Sequence, residues 1–177
     1  LGVVGLVVVV AAVLTTRAQA APWKDSRTLF EHTTAVTGPN AVAEQALGSL
    51  DLEAGRLEAA ERHFRSALDL APSLTGAQLG LARVLLTTGR LDEAAIAYEG
   101  VLTRVPQHVE AANNLAYCRL RQGDLPRARE LFARAVSANA SLVASTYTLG
   151  MLDAALGSRE EAVARLSEAV RISPGND

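Results

Sequence analysis

Apolar and small residues recur along this chain with a spacing of 34 residues. A glycine recurs at Gly55, Gly89, Gly123 and Gly157. A leucine recurs at Leu47, Leu81, Leu115 and Leu149, and a large side chain recurs at Phe64, Tyr98, Phe132 and Leu166. This pattern predicts two amphipathic helices in each unit, with the glycine at the turn between them. Because one hairpin of two helices cannot bury its apolar faces alone, the hairpins are predicted to stack.

The spacing divides most of the chain into four repeats, residues 41–74, 75–108, 109–142 and 143–176. Small residues that let two helices approach closely recur at Gly48, Ala82, Ala116 and Gly150. Three repeats end near a proline, at Pro72, Pro106 and Pro174, and Ala140 stands in the corresponding place of the third repeat. Proline ends a helix because it lacks an N–H and clashes with the preceding turn. The sequence therefore predicts an all-α fold of four helical hairpins.

Residues 1–20 form a hydrophobic segment that begins LGVVGLVVVVAAVL. We interpret it as the end of a transmembrane helix, with residues 1–16 in the lipid bilayer. Two alternatives remain open. The segment Ala18-Gln19-Ala20 fits the cleavage pattern of a signal peptide, and the run also fits a buried core segment. Because the chain begins with Leu1 rather than Met, we expect it to be the C-terminal part of a longer protein.

Residues 21–40 are predicted to be a linker followed by an N-terminal capping helix. The helix is predicted over Asp25–Val36, because Asp25 or Ser26 can accept a hydrogen bond from a free N–H of the first turn. The turn residues Gly38-Pro39-Asn40 follow it. We expect this helix to cover the apolar side of the first hairpin.

The stretches LGSLDLEAGRLEAAERHFRSALDLAP and NNLAYCRLRQGDLPRARELFARAV resemble the tetratricopeptide repeat (TPR). The resemblance implies a right-handed α-α superhelix whose first helices line a concave, protein-binding face. Asp51, Arg119 and Asp153 depart from the family pattern, because the family often has Tyr at that position. Gly80 lies inside a first helix, where glycine costs about 1 kcal/mol relative to Ala, so the repeat of residues 75–108 is expected to be less stable than its neighbours.

A second resemblance covers residues 1 to about 75, where PWKDSRTLFEHTTAVTGPN connects the hydrophobic segment to the repeats. The region looks like the C-terminal part of bacterial multispanning membrane proteins similar to the transmembrane-and-TPR O-mannosyltransferases of animals. The residues that carry this likeness are Trp23, Asp25, Ser26, Leu29, Phe30, His32, Val36 and Asn40. It implies a membrane location with the repeats outside the cytoplasm, on the periplasmic side. Arg17, Lys24 and Arg27 weakly favour a cytoplasmic flank, but that comparison needs both flanks.

Eight residues at inward-facing positions of the predicted first helices are the candidate partner-binding residues. They are Gln45, Arg83, Asn113, Asn114, Tyr117, Arg121, Tyr147 and Met151. Amides pair with the backbone of an extended peptide, and Tyr and Arg are common anchors in interfaces. The alternative is that these side chains are ordinary solvated surface residues. Some TPR domains clamp a C-terminal carboxylate, but Gln45, Ser49, Glu110 and Asn114 do not match that motif.

The composition of the chain argues against several kinds of function. Hydrophobic residues make up 49% of the chain and the formal net charge is −2, which does not favour nucleic acid. Cys118 is the only cysteine, and His32, His63 and His108 have no partner at metal-ligand spacing. We therefore expect no catalytic residue, no metal, no cofactor and no nucleic-acid partner for this chain. Whether a longer parent protein is an enzyme stays open.

Two functions fit these observations. The first is a membrane-anchored protein–protein interaction module that binds a polypeptide on the concave face. The second is the accessory acceptor-recognition region of a membrane glycosyltransferase, similar to an O-mannosyltransferase, with its catalytic part upstream of Leu1. We also expect homo-association through the last repeat, because no further helix follows to cover Val163, Leu166 and Val170.

Overall fold

The computed structural model describes residues 25–173, which form nine α-helices and no strand. The helices are α1 Ser26–Thr37, α2 Ala41–Glu53, α3 Leu57–Leu70, α4 Thr75–Thr87, α5 Leu91–Arg104, α6 Val109–Arg121, α7 Leu125–Ala138, α8 Val143–Ala155 and α9 Arg159–Ile172. The predicted all-helical fold is confirmed over this range. The predicted transmembrane segment, Trp23 and Pro174 lie outside it. None of the nine helices is long and apolar enough to cross a bilayer.

Each recurring glycine lies at a turn between two helices and has a positive φ. The φ angles of Gly55, Gly89, Gly123 and Gly157 lie between 71° and 89°. In the first turn the N–H of Gly55 donates to the carbonyl of Leu52 at 3.0 Å, and the N–H of Arg56 donates to the carbonyl of Asp51 at 2.8 Å. This pair of bonds is a Schellman motif, which satisfies carbonyls at a helix end. Glycine recurs because it adopts this conformation without strain.

The chain divides into two compact units, Leu1–Ala77 and Gln78–Asp177. The first unit is described from Asp25 onward and contains α1, α2 and α3. Its buried apolar side chains include Leu47 and Phe64. A Cβ atom at Gly48 would lie 2.9 Å from the Phe64 ring, so glycine is what allows α3 to lie so close to α2.

Helix α1 packs against α2 and begins with a capping box. A carboxylate oxygen of Asp25 accepts the backbone N–H of Thr28 at 2.8 Å, and the Thr28 hydroxyl lies close to the N–H of Asp25. No side chain of α1 is fully buried, and Phe30 is only half-buried. The helix therefore lies on the surface of the first unit.

The second unit contains most of α4 and all of α5 to α9. Its largest fully buried apolar side chains are Tyr98, Leu149, Val84, Val101 and Cys118. These residues belong to the recurring apolar positions of successive hairpins, so the core runs from one hairpin to the next. The helix pairs α6–α7 and α8–α9 pack as hairpins, and α7 packs against α8.

Two aspartates in the core positions where the family often has Tyr are fully buried. Asp51 in the first unit accepts Nε of Arg56 at 2.7 Å and also bonds Arg27 of α1. Asp153 in the second unit accepts Nε of Arg129 at 2.5 Å and Nε of Arg165 at 2.6 Å. Each buried charge is thus paired with two guanidinium groups, which is what makes its burial tolerable.

Candidate partner-binding site

The structure places seven of the eight candidate residues in the second unit and one in the first. Gln45 lies on α2, where its side chain covers Gly76: a Cβ atom there would stand 2.6 Å from Gln45 Oε1. The other seven lie on α4, α6 and α8, the first helices of their hairpins. We call their exposed side the first-helix face. It is defined by Arg83, Asn113, Asn114, Tyr117, Arg121, Tyr147 and Met151.

The two amides at the centre of the first-helix face are held by neighbouring side chains. The hydroxyl of Ser145 on α8 donates to Asn113 Oδ1 at 2.6 Å. Asn114 Nδ2 donates to the hydroxyl oxygen of Tyr98 at 3.2 Å. Burial raises the pKa of Tyr98 above the ordinary range of a phenol, so it stays neutral and accepts this bond. The amides are therefore fixed in orientation, and part of their bonding capacity is already used.

This internal bonding changes the role predicted for the asparagines. The sequence suggested that both amides face a partner freely, but Asn113 Oδ1 and Asn114 Nδ2 have partners within the unit. The remaining pair is Asn113 Nδ2 and Asn114 Oδ1, which lie 3.5 Å apart and interact weakly. Sequence spacing shows which face of a helix carries the two asparagines. It does not show that the hydroxyl groups of Tyr98 and Ser145, on neighbouring helices, hydrogen-bond to them.

Three large side chains of the first-helix face are exposed. The exposed fraction is 44% for Tyr117, 53% for Tyr147 and 50% for Met151. The guanidinium carbon of Arg121 lies 6.0 Å from the centre of the Tyr117 ring, at the outer limit for a cation–π contact. Aromatic residues, Met and Arg are enriched in protein interfaces, so this surface has the composition of a contact surface.

The charges on this face are few. Arg83 Nε lies 3.6 Å from Glu110 Oε1, and both side chains are about half exposed. An exposed pair of this kind contributes about 0–1 kcal/mol to stability, so it neither rigidifies the face nor resists separation by a ligand.

Groups suited to covalent or metal chemistry do not gather at this surface. Cys118 is buried, and burial raises the pKa of its thiol. His108 acts as a helix cap, because its Nδ1 accepts the N–H of Ala111 at 3.2 Å. Between Asp25 and Ser173, no group of three or more His, Cys, Asp or Glu side chains is arranged to hold a metal ion.

The chain is similar to proteins of several kinds. Protein CTR9 homolog of Arabidopsis thaliana is 32% identical over 107 residues, which cover 60% of this chain and 10% of that protein. Tetratricopeptide repeat-containing protein trd-1 of Caenorhabditis elegans is 31% identical over 100 residues, which cover 56% of this chain and 13% of that protein. The chain thus spans only about a tenth of the length of these relatives.

Solved structures share the fold. MamA 41-end from Desulfovibrio magneticus RS-1 matches with a TM-score of 0.76 at 17% identity, covering 90% of each chain. The sequence profile of the tetratricopeptide repeat matches residues 46–107 and 95–142, which together are more than half of the chain. These matches agree with the hairpins, their turn glycines and their recurring core positions. The chain belongs to the tetratricopeptide repeat family.

Proposed function

We propose that this chain is a protein-interaction module that binds a polypeptide segment across the first-helix face of the second unit. The observation that supports the proposal best is the exposed group of Tyr117, Tyr147 and Met151 beside two amides of fixed orientation. Large exposed side chains that a fold does not use in its own core favour a contact with another molecule. The repeat family and its MamA and CTR9 relatives are consistent with a binding role rather than a catalytic one.

The side chains divide the work of binding. Asn113 Nδ2 can donate and Asn114 Oδ1 can accept, which matches the C=O and N–H of an extended backbone at any sequence. Tyr117, Tyr147 and Met151 would pack against apolar side chains of the segment, and Arg121 would attract an acidic one. Because the amides are already held by Ser145 and Tyr98, binding costs little side-chain entropy there.

A selection experiment tests this proposal. The full chain would be used to select peptides from a randomised library displayed on phage, and fluorescence anisotropy would give their affinity. We expect the double variant Tyr117→Ala with Arg121→Ala to weaken binding about tenfold or more, since buried Tyr and Arg anchors are typical hot spots. Ile96→Ala is the matched control, because Ile96 is also exposed but lies on α5, away from this face.

Two results would contradict the proposal. One is a selection that enriches no peptide. The other is a set of peptides whose affinity is equal for the double variant, the control and the parent chain. Circular dichroism would show that both variants retain their helices, so that a loss of affinity is not a loss of fold.

We further propose that residues 1–20 attach the chain to a membrane, with the repeats outside the cytoplasm. The support is the uncharged run before Arg17 and the resemblance of the segment that follows it. A separate prediction from the sequence is the division of the repeats into residues 41–74, 75–108, 109–142 and 143–176. Protease treatment of spheroplasts, whose outer membrane has been opened, tests the membrane side: only repeats outside the cytoplasm would be digested.

The accessory region of a membrane glycosyltransferase is the second candidate function. The observation that favours it is the segment from Trp23 to Asn40, whose residues resemble the transmembrane-and-TPR proteins. In that role the first-helix face would hold the acceptor polypeptide. The coding sequence upstream of Leu1 distinguishes the two candidates. Many apolar spans there would favour the transferase, and a single short span would favour the interaction module.

A further inference from the structure

Two polar side chains of the second unit stand at repeat positions where the other repeats have no such group. Tyr98 on α5 has a hydroxyl, whereas the equivalent residues are Phe64, Phe132 and Leu166. Asn114 on α6 has an amide, whereas the equivalent residues are Ala46, Gly80 and Thr148. The structure joins these two groups, since Asn114 Nδ2 donates to the hydroxyl oxygen of Tyr98 at 3.2 Å.

The hydroxyl of Tyr98 is not needed to fill the core. Tyr98 is fully buried, and at the same repeat position Phe64 and Phe132 fill the core with a ring alone. A buried hydroxyl needs a hydrogen bond to offset the loss of water, and the net gain in stability from such a bond is small. The hydroxyl therefore adds little to folding, and its main effect is on the orientation of Asn114.

The hydrogen bonds across the two asparagines run in one direction. The hydroxyl oxygen of Ser145 lies 2.6 Å from the side chain of Asn113, a distance typical of O–H···O rather than of N–H···O. The Asn113 atom that faces Ser145 is therefore its oxygen, and its Nδ2 points at Asn114 Oδ1, 3.5 Å away. This leaves Asn114 Nδ2 to donate to Tyr98. We call Ser145, Asn113, Asn114 and Tyr98 the asparagine network.

The asparagine network leaves Asn114 Oδ1 as an acceptor on the first-helix face. Its contact with Asn113 Nδ2 is long for a hydrogen bond, and an amide oxygen has two lone pairs. A partner that meets this oxygen must supply a donor. The backbone N–H of an extended segment is such a donor, and proline is the residue that lacks it.

We propose that Tyr98 is a positioning residue that makes Asn114 select a segment with a free backbone N–H, so that proline is rejected at that place. The inference rests on the proposed binding of a polypeptide at the first-helix face, and it adds which atom of the segment is recognised. Without the Tyr98 hydroxyl, the amide of Asn114 can rotate about its Cβ–Cγ bond and offer Nδ2 instead. The selection for an N–H would then be lost.

Replacing one backbone atom of the bound segment tests the inference. A peptide selected on the full chain is synthesised as a series in which each N–H in turn becomes an ester oxygen, which removes the donor and keeps the shape. Fluorescence anisotropy gives the affinity of each peptide for the parent chain and for Tyr98→Phe. We expect one ester to weaken binding to the parent about tenfold or more, because Asn114 Oδ1 then faces an oxygen. The same ester should weaken binding to Tyr98→Phe about threefold or less, because the released amide can turn Nδ2 toward it.

Two further variants separate orientation from stability. Thr103→Val removes a different hydroxyl from α5, one that donates to the backbone carbonyl of Glu99 at 2.9 Å. We expect this control to keep the full loss of affinity for the ester. Ser145→Ala breaks the other end of the asparagine network and should reduce that loss as Tyr98→Phe does. Thermal unfolding shows that each variant is folded at the temperature of the binding assay.

The inference would be overturned by an ester effect that is equal in the parent, Tyr98→Phe and Ser145→Ala, or that falls as much in Thr103→Val. A series in which no single ester weakens binding to the parent would overturn it too. In these cases, a loss of affinity in Tyr117→Ala with Arg121→Ala would still support the proposed peptide binding, so the two failures are distinguishable. A selection that enriches no peptide would overturn both.

Discussion

At the scale of single residues, the buried aspartates show where the sequence pattern is incomplete. Asp51 and Asp153 were recognised as departures from the repeat pattern, but their partners were not. The partners follow a second pattern, because Arg27 and Asp51 are 24 residues apart and so are Arg129 and Asp153. An arginine on the preceding helix thus bonds the aspartate of the next first helix. A hydrophobicity pattern does not reveal such a pair, since both positions read as polar.

The stability of the first unit should depend on pH through Asp51. Burial alone would raise the pKa of this carboxyl, but hydrogen bonds from Arg56 and Arg27 outweigh it and lower the pKa. A lowered pKa in the folded state means that the contribution to stability is complete above the unfolded value, about 4, and is lost as pH falls through the folded value. Asp51→Asn should therefore lower the free energy of unfolding by about 1–3 kcal/mol at neutral pH, and by less below about pH 4.

Urea unfolding followed by circular dichroism, repeated between neutral and acidic pH, measures this difference. The control is Glu160→Gln, which removes an exposed carboxylate from the other unit. We expect the control to change the free energy of unfolding by no more than about 0.5 kcal/mol. An Asp51→Asn effect of the same size at every pH would show that the arginine bonds do not stabilise the charged form.

At the scale of helices, the sequence predicted the fold well where a local rule applies. The turn glycines occupy the positive-φ position that their period predicts, and α1 begins beside the predicted cap Asp25. The small residues also fit, since a Cβ atom at Gly150 would lie 2.9 Å from Leu166 Cγ. The side chains of Val163 and Val170, for which the sequence analysis expected no covering helix, have exposed fractions of 66% and 65%.

Two helical glycines provide a matched comparison of close packing. At Gly150 an added Cβ atom would meet Leu166, including its backbone N at 3.3 Å, so Gly150→Ala must shift α9 relative to α8. We expect a loss of about 1–3 kcal/mol in the free energy of unfolding. At Gly100 the added atom would meet only the end of the Gln78 side chain, which can move away.

Gly100→Ala is therefore expected to be close to neutral, because the gain in helix propensity of up to about 1 kcal/mol offsets the displaced amide. Thermal unfolding of the two variants beside the parent chain measures both effects. If Gly100→Ala destabilises as much as Gly150→Ala, closeness to the leucine is not what selects glycine in α8.

At the scale of the whole molecule, the repeat pattern predicts the kind of element but not how elements group. The four predicted repeats look alike in sequence. The structure nevertheless divides into two compact units between Ala77 and Gln78, within α4. The same helix contains Gly76 and Gly80, which weaken helix propensity. The period also places the candidate residues on the first helices of their hairpins, where the structure has them; their role in binding stays a prediction. Their exposure and hydrogen-bond partners depend on neighbouring helices that a single helix pattern does not describe.

The proposed membrane attachment and the proposed peptide binding should be separable by deleting residues 1–24. Helix α1 begins with a cap formed by Asp25 and Thr28, so a chain that starts at Asp25 keeps this cap. The full chain is expected to float with phosphatidylcholine vesicles in a density gradient, since its first 16 residues carry no charge and are mostly apolar. The chain beginning at Asp25 should remain at the bottom, with the same helical content and the same affinity for selected peptides. Flotation of the shortened chain would place the lipid contact on the repeats themselves. A full chain that fails to float would contradict the membrane proposal and leave peptide binding to be judged on its own test.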